Sequence, residues 1–299
     1  MVHGPLFLCA LLTTLPFAEG GRAFDTAQGL ELRAPKELMG DLASADPAAR
    51  TRAACGLREL GDRAADAIAP LVRTLADGAP VDGAICGRRW SRHDDDTLTS
   101  PGEEAAAALA AIGTRAFQPV LAALRDDAWI ARRNSAWTLG ALDDDRAVDA
   151  LVEALRDREA SVREQAAWAL GAIDDKRAVP ALIVSLKDSD ARVRRQAAWA
   201  LGALDDARAT TALVQTLSDA DERARSQAAW ALGAIDDRSA VPGLTKALSD
   251  KADAVRKQAA WALGALGDRR AVQGLMTCLK DGDAGVRKQA AWALGAIGG

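Results

Sequence analysis

The chain has 299 residues with 42 acidic and 38 basic side chains, and the resulting formal charge of −4 excludes the strongly basic surface of a dedicated nucleic-acid binder. Tyr is absent and Phe occurs four times, so buried area has to come from Ala, Leu, Val and Ile on closely packed helices, which is an all-α composition. That length would normally suggest two globular domains, a prior that any internal repeat overrides.

Residues 5–18 (PLFLCALLTTLPFA) form an apolar run too short to span a bilayer, followed by the small-x-small pattern Gly21-Arg22-Ala23. The pattern predicts a secretory signal over residues 1–23, hence a secreted or periplasmic protein with no membrane insertion after cleavage. Met1 to Gly4 offers only His3 as a basic group, and an ordinary buried N-terminal segment is the alternative reading. Cys9 has no lipobox around it. Residues 24–34 read as a linker.

Residues 38–60 (LMGDLASADPAARTRAACGLREL) align without a gap with residues 182–204 (LIVSLKDSDARVRRQAAWALGAL), and Cys55 stands where Trp199 stands. A second unit begins at Ile68, but its partner helix comes late, near Gly102 to Ile112. The intervening residues 76–100, rich in Gly, Pro and Asp, predict a surface loop. This insertion holds Cys86, Arg88, Arg89, Trp90, His93, Asp94, Asp95 and Asp96. A His beside three Asp is metal-ligand chemistry, yet the run reads as a solvated polar loop and no metal is expected. In an oxidising compartment Cys86 would bridge to Cys55. Two free thiols are the alternative, because connectivity cannot be read from sequence, and Cys278 is left unpaired in either case.

From Phe117 the chain is regular. Trp137, Trp168, Trp199, Trp230, Trp261 and Trp292 are each 31 residues apart, inside a motif of the type QAAWALGAIDD. A strict period of this size with helical patterning means a solenoid, because one unit cannot bury its apolar face alone. Each unit has a short helix of the type V-P-A-L-x-x-x-L, a turn containing Asp, and a longer helix. Pro180 suits the first turn of the short helix, and Asp188-Ser189-Asp190 and Asp205-Asp206 supply helix caps. Eight helix pairs are predicted over residues 35–299.

The unit AVPALIVSLKDSDARVRRQAAWALGAI resembles the HEAT-like repeats of the phycobilin-lyase type, a family of bacterial scaffold proteins and some enzymes. The resemblance covers about residues 35–299 and implies a right-handed superhelix with first helices convex and second helices lining a concave face. It also implies that the Trp position faces the groove. Six successive Trp at that position depart from most relatives. Iron hydroxylases of this family use repeated His-Glu pairs, and the only histidines here are His3 and His93. With no phosphate loop, zinc cluster or nucleophile–base pair visible, the chain is expected to be non-catalytic and to need no cofactor.

At roughly 100° per residue, Val193, Ala197, Ala200, Leu201 and Leu204 fall in one stripe and Trp199 lies about 150° from its centre. The indoles would thus form a ladder about 45 Å long, beside Gln165, Gln196, Gln227, Gln258 and Gln289, with Asn134 in the first place. The preceding position reads Arg133, Glu164, Arg195, Ser226, Lys257 and Lys288. Two readings follow: a binding surface for an extended protein partner, or indoles that fill space between repeats. Stacking of sugar rings or single-stranded nucleic acid on the same ladder are the further alternatives, and nucleic acid is disfavoured by charge.

Asp126, Asp157, Asp188, Asp219, Asp250 and Asp281 recur with Arg132, Arg163, Arg194, Arg225, Arg256 and Arg287. These are expected to be caps and Asp–Arg hydrogen bonds between turns, not calcium ligands. In the last unit Val286, Ala290, Leu294 and Ile297 keep the interior pattern with no polar cap after them. Such an end would dock on a second copy or on a partner, or continue into a longer protein.

Overall fold

A computed structural model of the chain describes residues 34–86 and 98–298. The predicted signal segment with His3 and Cys9, residues 24–33 of the linker, and Arg88, Arg89, Trp90, His93, Asp94, Asp95 and Asp96 of the insertion lie outside the described residues.

The described residues form helix pairs in chain order. They are α1 (Pro35–Asp41) with α2 (Pro47–Leu60), α3 (Ile68–Thr74) with α4 (Pro101–Ile112), and α5 (Phe117–Ala123) with α6 (Trp129–Leu142). The regular run continues with α7 (Val148–Ala154) and α8 (Ala160–Ile173), then α9 (Val179–Ser185) and α10 (Ala191–Ala203). After these come α11 (Thr210–Thr216) and α12 (Glu222–Ala234), α13 (Val241–Ala247) and α14 (Asp253–Leu266), and α15 (Val272–Cys278) and α16 (Ala284–Gly298). No single described helix is long and apolar enough to cross a membrane.

Sequence chemistry explains the boundaries. Asp190 and Asp221 accept backbone N–H bonds at the starts of α10 and α12, satisfying donors that a first helical turn leaves open. Each longer helix from α6 to α12 is followed by an Asp with positive φ, at Asp143, Asp174, Asp205 and Asp236, and Gly267 takes that role after α14. The next residue, Asp144, Asp175, Asp206, Asp237 or Asp268, caps a single 3-10 turn that leads into the following short helix.

Second helices pack directly on second helices along the whole array, whereas first helices from α5 onward hardly meet one another. Clefts of about 500 Å³ between α5 and α7 and about 670 Å³ between α9 and α11 open on the first-helix side. A stack that is close on one side and splayed on the other curves toward the close side. The second helices therefore line the inside of an α-solenoid.

Successive units are joined by the Asp–Arg ladder. Arg194 of α10 places Nε 2.7 Å from Oδ2 and Nη2 2.8 Å from Oδ1 of Asp219, 25 residues ahead, while its Nη1 donates to the carbonyl of Asp188 at 2.9 Å. Arg132, Arg163, Arg225 and Arg256 repeat this two-pronged bond onto Asp157, Asp188, Asp250 and Asp281. Arg287 keeps only the bonds to its own turn, at Asp281 and Gly282. Between the first two units Arg50 bonds Asp77. The residue aligned with these arginines in the second unit is Gly102, so the ladder skips one joint there.

The insertion is not wholly irregular. β1 (Val81–Asp82) pairs antiparallel with β2 (Leu98–Thr99), and a 3-10 turn, Gly83–Cys86, follows β1. Within the predicted loop a two-residue ladder closes the base of a strap, a signal too short for sequence periodicity to carry.

Burial pushes the carboxyls of Asp157, Asp188, Asp219 and Asp250 upward, but the arginine and backbone hydrogen bonds outweigh it and hold each below the ordinary value. Bonds from Arg192, Arg208 and Arg270 lower Asp190, Asp206 and Asp268 to about 2. A carboxyl lowered by folding contributes stability that is present above its unfolded pKa of about 4 and is lost as pH falls through the native value. The thermal midpoint is therefore expected to be flat above pH about 5 and to drop between about 4 and 2, read by circular dichroism across a pH series. Replacing Asp236 by Gly, as the chain does at Gly267, should raise stability by up to about 1 kcal/mol because the left-handed conformation then costs nothing. Urea unfolding of Asp236→Gly checks this, and a destabilised variant would contradict it.

Candidate functional site: the inner face

In α10 Arg192, Arg195, Gln196, Trp199 and Ala203 reach solvent along one stripe at helical spacings, Ala191 and Arg194 are partly exposed beside it, and Val193, Ala197, Ala198, Ala200, Leu201 and Gly202 are buried. The same stripe in α8, α12, α14 and α16 carries Gln165, Gln227, Gln258 and Gln289 and the corresponding tryptophans. The inner face of the solenoid thus presents the predicted Trp and Gln residues side by side.

The indoles are not freely displayed, however. Trp137, Trp168, Trp199, Trp230 and Trp261 are half-buried and packed against the core; Trp292 is 49% exposed. Each from Trp168 onward leans on a glycine of the preceding unit. A Cβ placed on Gly202 would lie 2.7 Å from Cζ3 of Trp230 and 2.8 Å from Cα of Ala231. Gly140, Gly171, Gly233 and Gly264 make the same contact with Trp168, Trp199, Trp261 and Trp292. Trp137 and Trp168 also stack, with centroids 6.1 Å apart and planes 9° from parallel. Of the two sequence readings, the Gly–Trp contacts are those of indoles that fill space between repeats, while part of each ring stays on the face. A wheel describes one helix, whereas the indole is covered sideways, by the helix before it.

What remains open on the face is polar. Among the described residues the side-chain amides of Gln165, Gln196, Gln227, Gln258 and Gln289 make no hydrogen bond, nor do the indole N–H groups of Trp168, Trp199, Trp230, Trp261 and Trp292, and no Trp or Gln nitrogen belongs to the buried unsatisfied atoms. Each unit from α8 on therefore offers one apolar ring edge, one N–H donor and one amide. Asn134 does not belong with the glutamines. It is buried and donates to the carbonyl of Leu75 at 2.8 Å, closing the end of α3.

The predicted basic character is partly cancelled. Arg133 pairs with Glu103 at 3.0 Å and Arg195 with Glu164 at 3.4 Å, leaving Lys257 and Lys288 exposed toward the C-terminal end. Trp129 was absent from the sequence-derived row although it starts α6 on the same stripe, eight residues before Trp137. It is 38% exposed, with the Arg133 guanidinium 5.7 Å from its ring centroid.

At the first end of the face the motif changes. Gly61 and Gly113 end α2 and α4 where Asp143 ends α6, so Cys55 occupies a Trp position, Arg58 a Gly position and Glu104 a Gln position. Cys55 is bonded to Cys86, with Cα atoms 5.9 Å apart, and Arg58 forms a close ion pair with Glu104. Cys86 is thereby tied to the Trp position of the first unit.

The family model for HEAT repeats matches residues 102–164, 148–219 and 210–295. The chain is a HEAT-repeat protein. Among solved structures this HEAT-repeat chain is similar to YibA of Escherichia coli, at 21% identity over 94% of this chain and 99% of that one, with a TM-score of 0.60. It is also similar to yeast importin-β, Kap95p, in a structure with RanGDP, at 14% identity over 88% of this chain and 42% of that one, TM-score 0.66. A Kap95:Nup1 complex matches at 16% identity over 90% and 42%, TM-score 0.64. The chain thus spans less than half of the Kap95 chains, and at such identities the likeness is one of fold. No curated protein matches the HEAT-repeat chain.

The Gly–Trp contact makes a sharp prediction. Gly202→Ala should destabilise the protein by about 1–3 kcal/mol through overpacking. Trp230→Leu in the same chain should not restore it, because the Cα of Ala231 still stands 2.8 Å from the new methyl position. Urea titration of the single and double variants reads both outcomes.

Proposed function

We propose that the chain is a non-catalytic scaffold whose inner face holds an extended segment of a partner protein. The observation that carries this reading is the row of unbonded Gln amides and indole N–H groups from α8 to α16, set beside ring edges at one unit spacing. Backbone N–H and C=O groups of an extended peptide are the complement of such alternating donors and acceptors, and Trp edges supply the apolar anchors of protein interfaces. Cancellation of Arg133 and Arg195 by Glu103 and Glu164 leaves no continuous cationic track, which favours a protein over nucleic acid. The Kap95 structures, which include Nup1 and RanGDP, support protein binding by this fold. The Cys55–Cys86 disulfide supports an oxidising, secreted or periplasmic setting.

Because the indoles also hold the stack together, the test has to spare them. Gln196→Ala with Gln227→Ala removes two amides worth about 0.5–1.5 kcal/mol each, a combined loss of about 5- to 150-fold in affinity. Affinity capture with the wild-type chain, this variant and an outer-face control, Thr211→Ala with Gln215→Ala, is expected to yield a protein depleted only by the inner-face changes. All three melting curves should coincide. A partner lost only with the outer-face control would overturn the reading.

A further inference from the structure

One place in the described residues brings two sulfurs and a carboxylate together. Cys55 on α2, Cys86 at the end of the strap's 3-10 turn and Glu104 on α4 each contribute one donor atom, and these atoms lie within 4.8 Å of one another. Cys55 is 6% exposed, and Glu104 is largely covered. We propose that reduction converts this disulfide into a site for one zinc-class divalent ion, ligated by the thiolates of Cys55 and Cys86 and the carboxylate of Glu104. Disulfide and metal are then alternative ways of tying the strap to the first unit.

The ligand chemistry selects the ion. Two thiolates and a carboxylate suit a borderline-soft, four-coordinate metal and are a poor set for magnesium or calcium. Charge closes as well. Two thiolates and Glu104 bring three negative charges, the metal two positive and the adjacent Arg58 one, so the cluster is neutral inside a covered site. The carboxylate is already oriented, since Arg58 holds Oε2 and the Thr99 hydroxyl donates to Oε1 at 3.2 Å. Partners of this kind aim metal ligands and raise affinity.

Geometry permits the exchange. Metal–sulfur bonds of about 2.3 Å and metal–oxygen bonds of about 2.0–2.2 Å put donor atoms about 3.5–4 Å apart. The sulfurs must therefore separate while the carboxylate closes in. Cys55 and Glu104 are fixed on helices, but Cys86 hangs from the two-residue pairing of Val81–Asp82 with Leu98–Thr99 and can supply the movement. Cys55, Arg58 and Glu104 stand at the three motif positions, Trp, Gly and Gln, where the first two units depart from the later ones. The fourth coordination position falls to water.

The chemistry balances with a trialkylphosphine as reductant. Phosphorus takes oxygen from water, the S–S bond breaks with two electrons, and two thiols form; metal binding then releases both thiol protons to the buffer. The test uses the full chain carrying Cys9→Ala and Cys278→Ala, which removes the other two cysteines of the sequence, Cys278 being a buried thiol that burial and nearby Asp281 push upward. Cobalt(II) is the probe, added without oxygen to reduced protein. The expected result is a thiolate-to-cobalt charge-transfer band and tetrahedral visible absorption saturating at one equivalent, bleached by zinc. Unreduced protein should show neither. Glu104→Gln should weaken binding at least tenfold, and Cys86→Ser should remove most of the charge-transfer band. No band at one equivalent in reduced protein that keeps its helical circular dichroism would overturn the proposal. So would equal affinity in Glu104→Gln, or helix loss on reduction that cobalt does not reverse.

Discussion

Glycine at positions 140, 171, 202, 233 and 264 lets each second helix approach the next until an Ala Cα and a Trp Cζ3 rest where a side chain would otherwise stand, and the geometry of the whole array follows from that approach. Helices at backbone contact on one side, with short helices splayed on the other, give the curve. The curve gathers the second helices into an inner face. The indole that completes the contact cannot retreat into the core, because the stripe behind it is already filled by Val, Ala and Leu. Its outer edge is left on that face as a by-product of packing.

The polar joint works at right angles to the apolar one. Each ladder arginine from Arg132 to Arg256 serves four acceptors within the stack, two carbonyls of its own turn and both carboxylate oxygens of the next unit. The fork fixes both the distance and the rotation between units, which a greasy contact between Ala-rich helices would leave loose. Burial of such pairs adds little net stability, so their contribution is the pitch of the solenoid. A defined pitch is what spaces the Gln and Trp groups evenly along the inner face.

The periodicity made the helices, their caps and the number of pairs legible, because caps and apolar spacing are local properties of Asp190, Pro180 or Val193. The Asp–Arg ladder was legible as chemistry, though not the 25-residue offset of each bond, which depends on how units stack. The role of the tryptophans was legible only in half. A wheel drawn for α10 places Trp199 away from Leu201 and cannot see Gly171 on the helix before. A readable clue was present all the same: a glycine kept in the last turn of five successive helices, where it costs about 1 kcal/mol against alanine, signals a close approach. Asn134 misled because it shares the position of the glutamines but turns inward to Leu75. Cys55 and Cys86 were legible only as a bridge or two free thiols, and the proximity of Glu104 depends on a fold that no spacing reveals.

Each regular unit carries a socket, the glycine and the arginine, and a plug, the tryptophan and the aspartate, and the two are offset so that one unit's plug fits the socket of the unit before or receives its arginine. An in-register duplication or deletion of 31 residues anywhere between α6 and α16 would therefore leave every glycine seated and every carboxylate bonded. Array length is, for this protein, a quantity that unequal recombination can change at almost no structural penalty, and with it the length of the inner face.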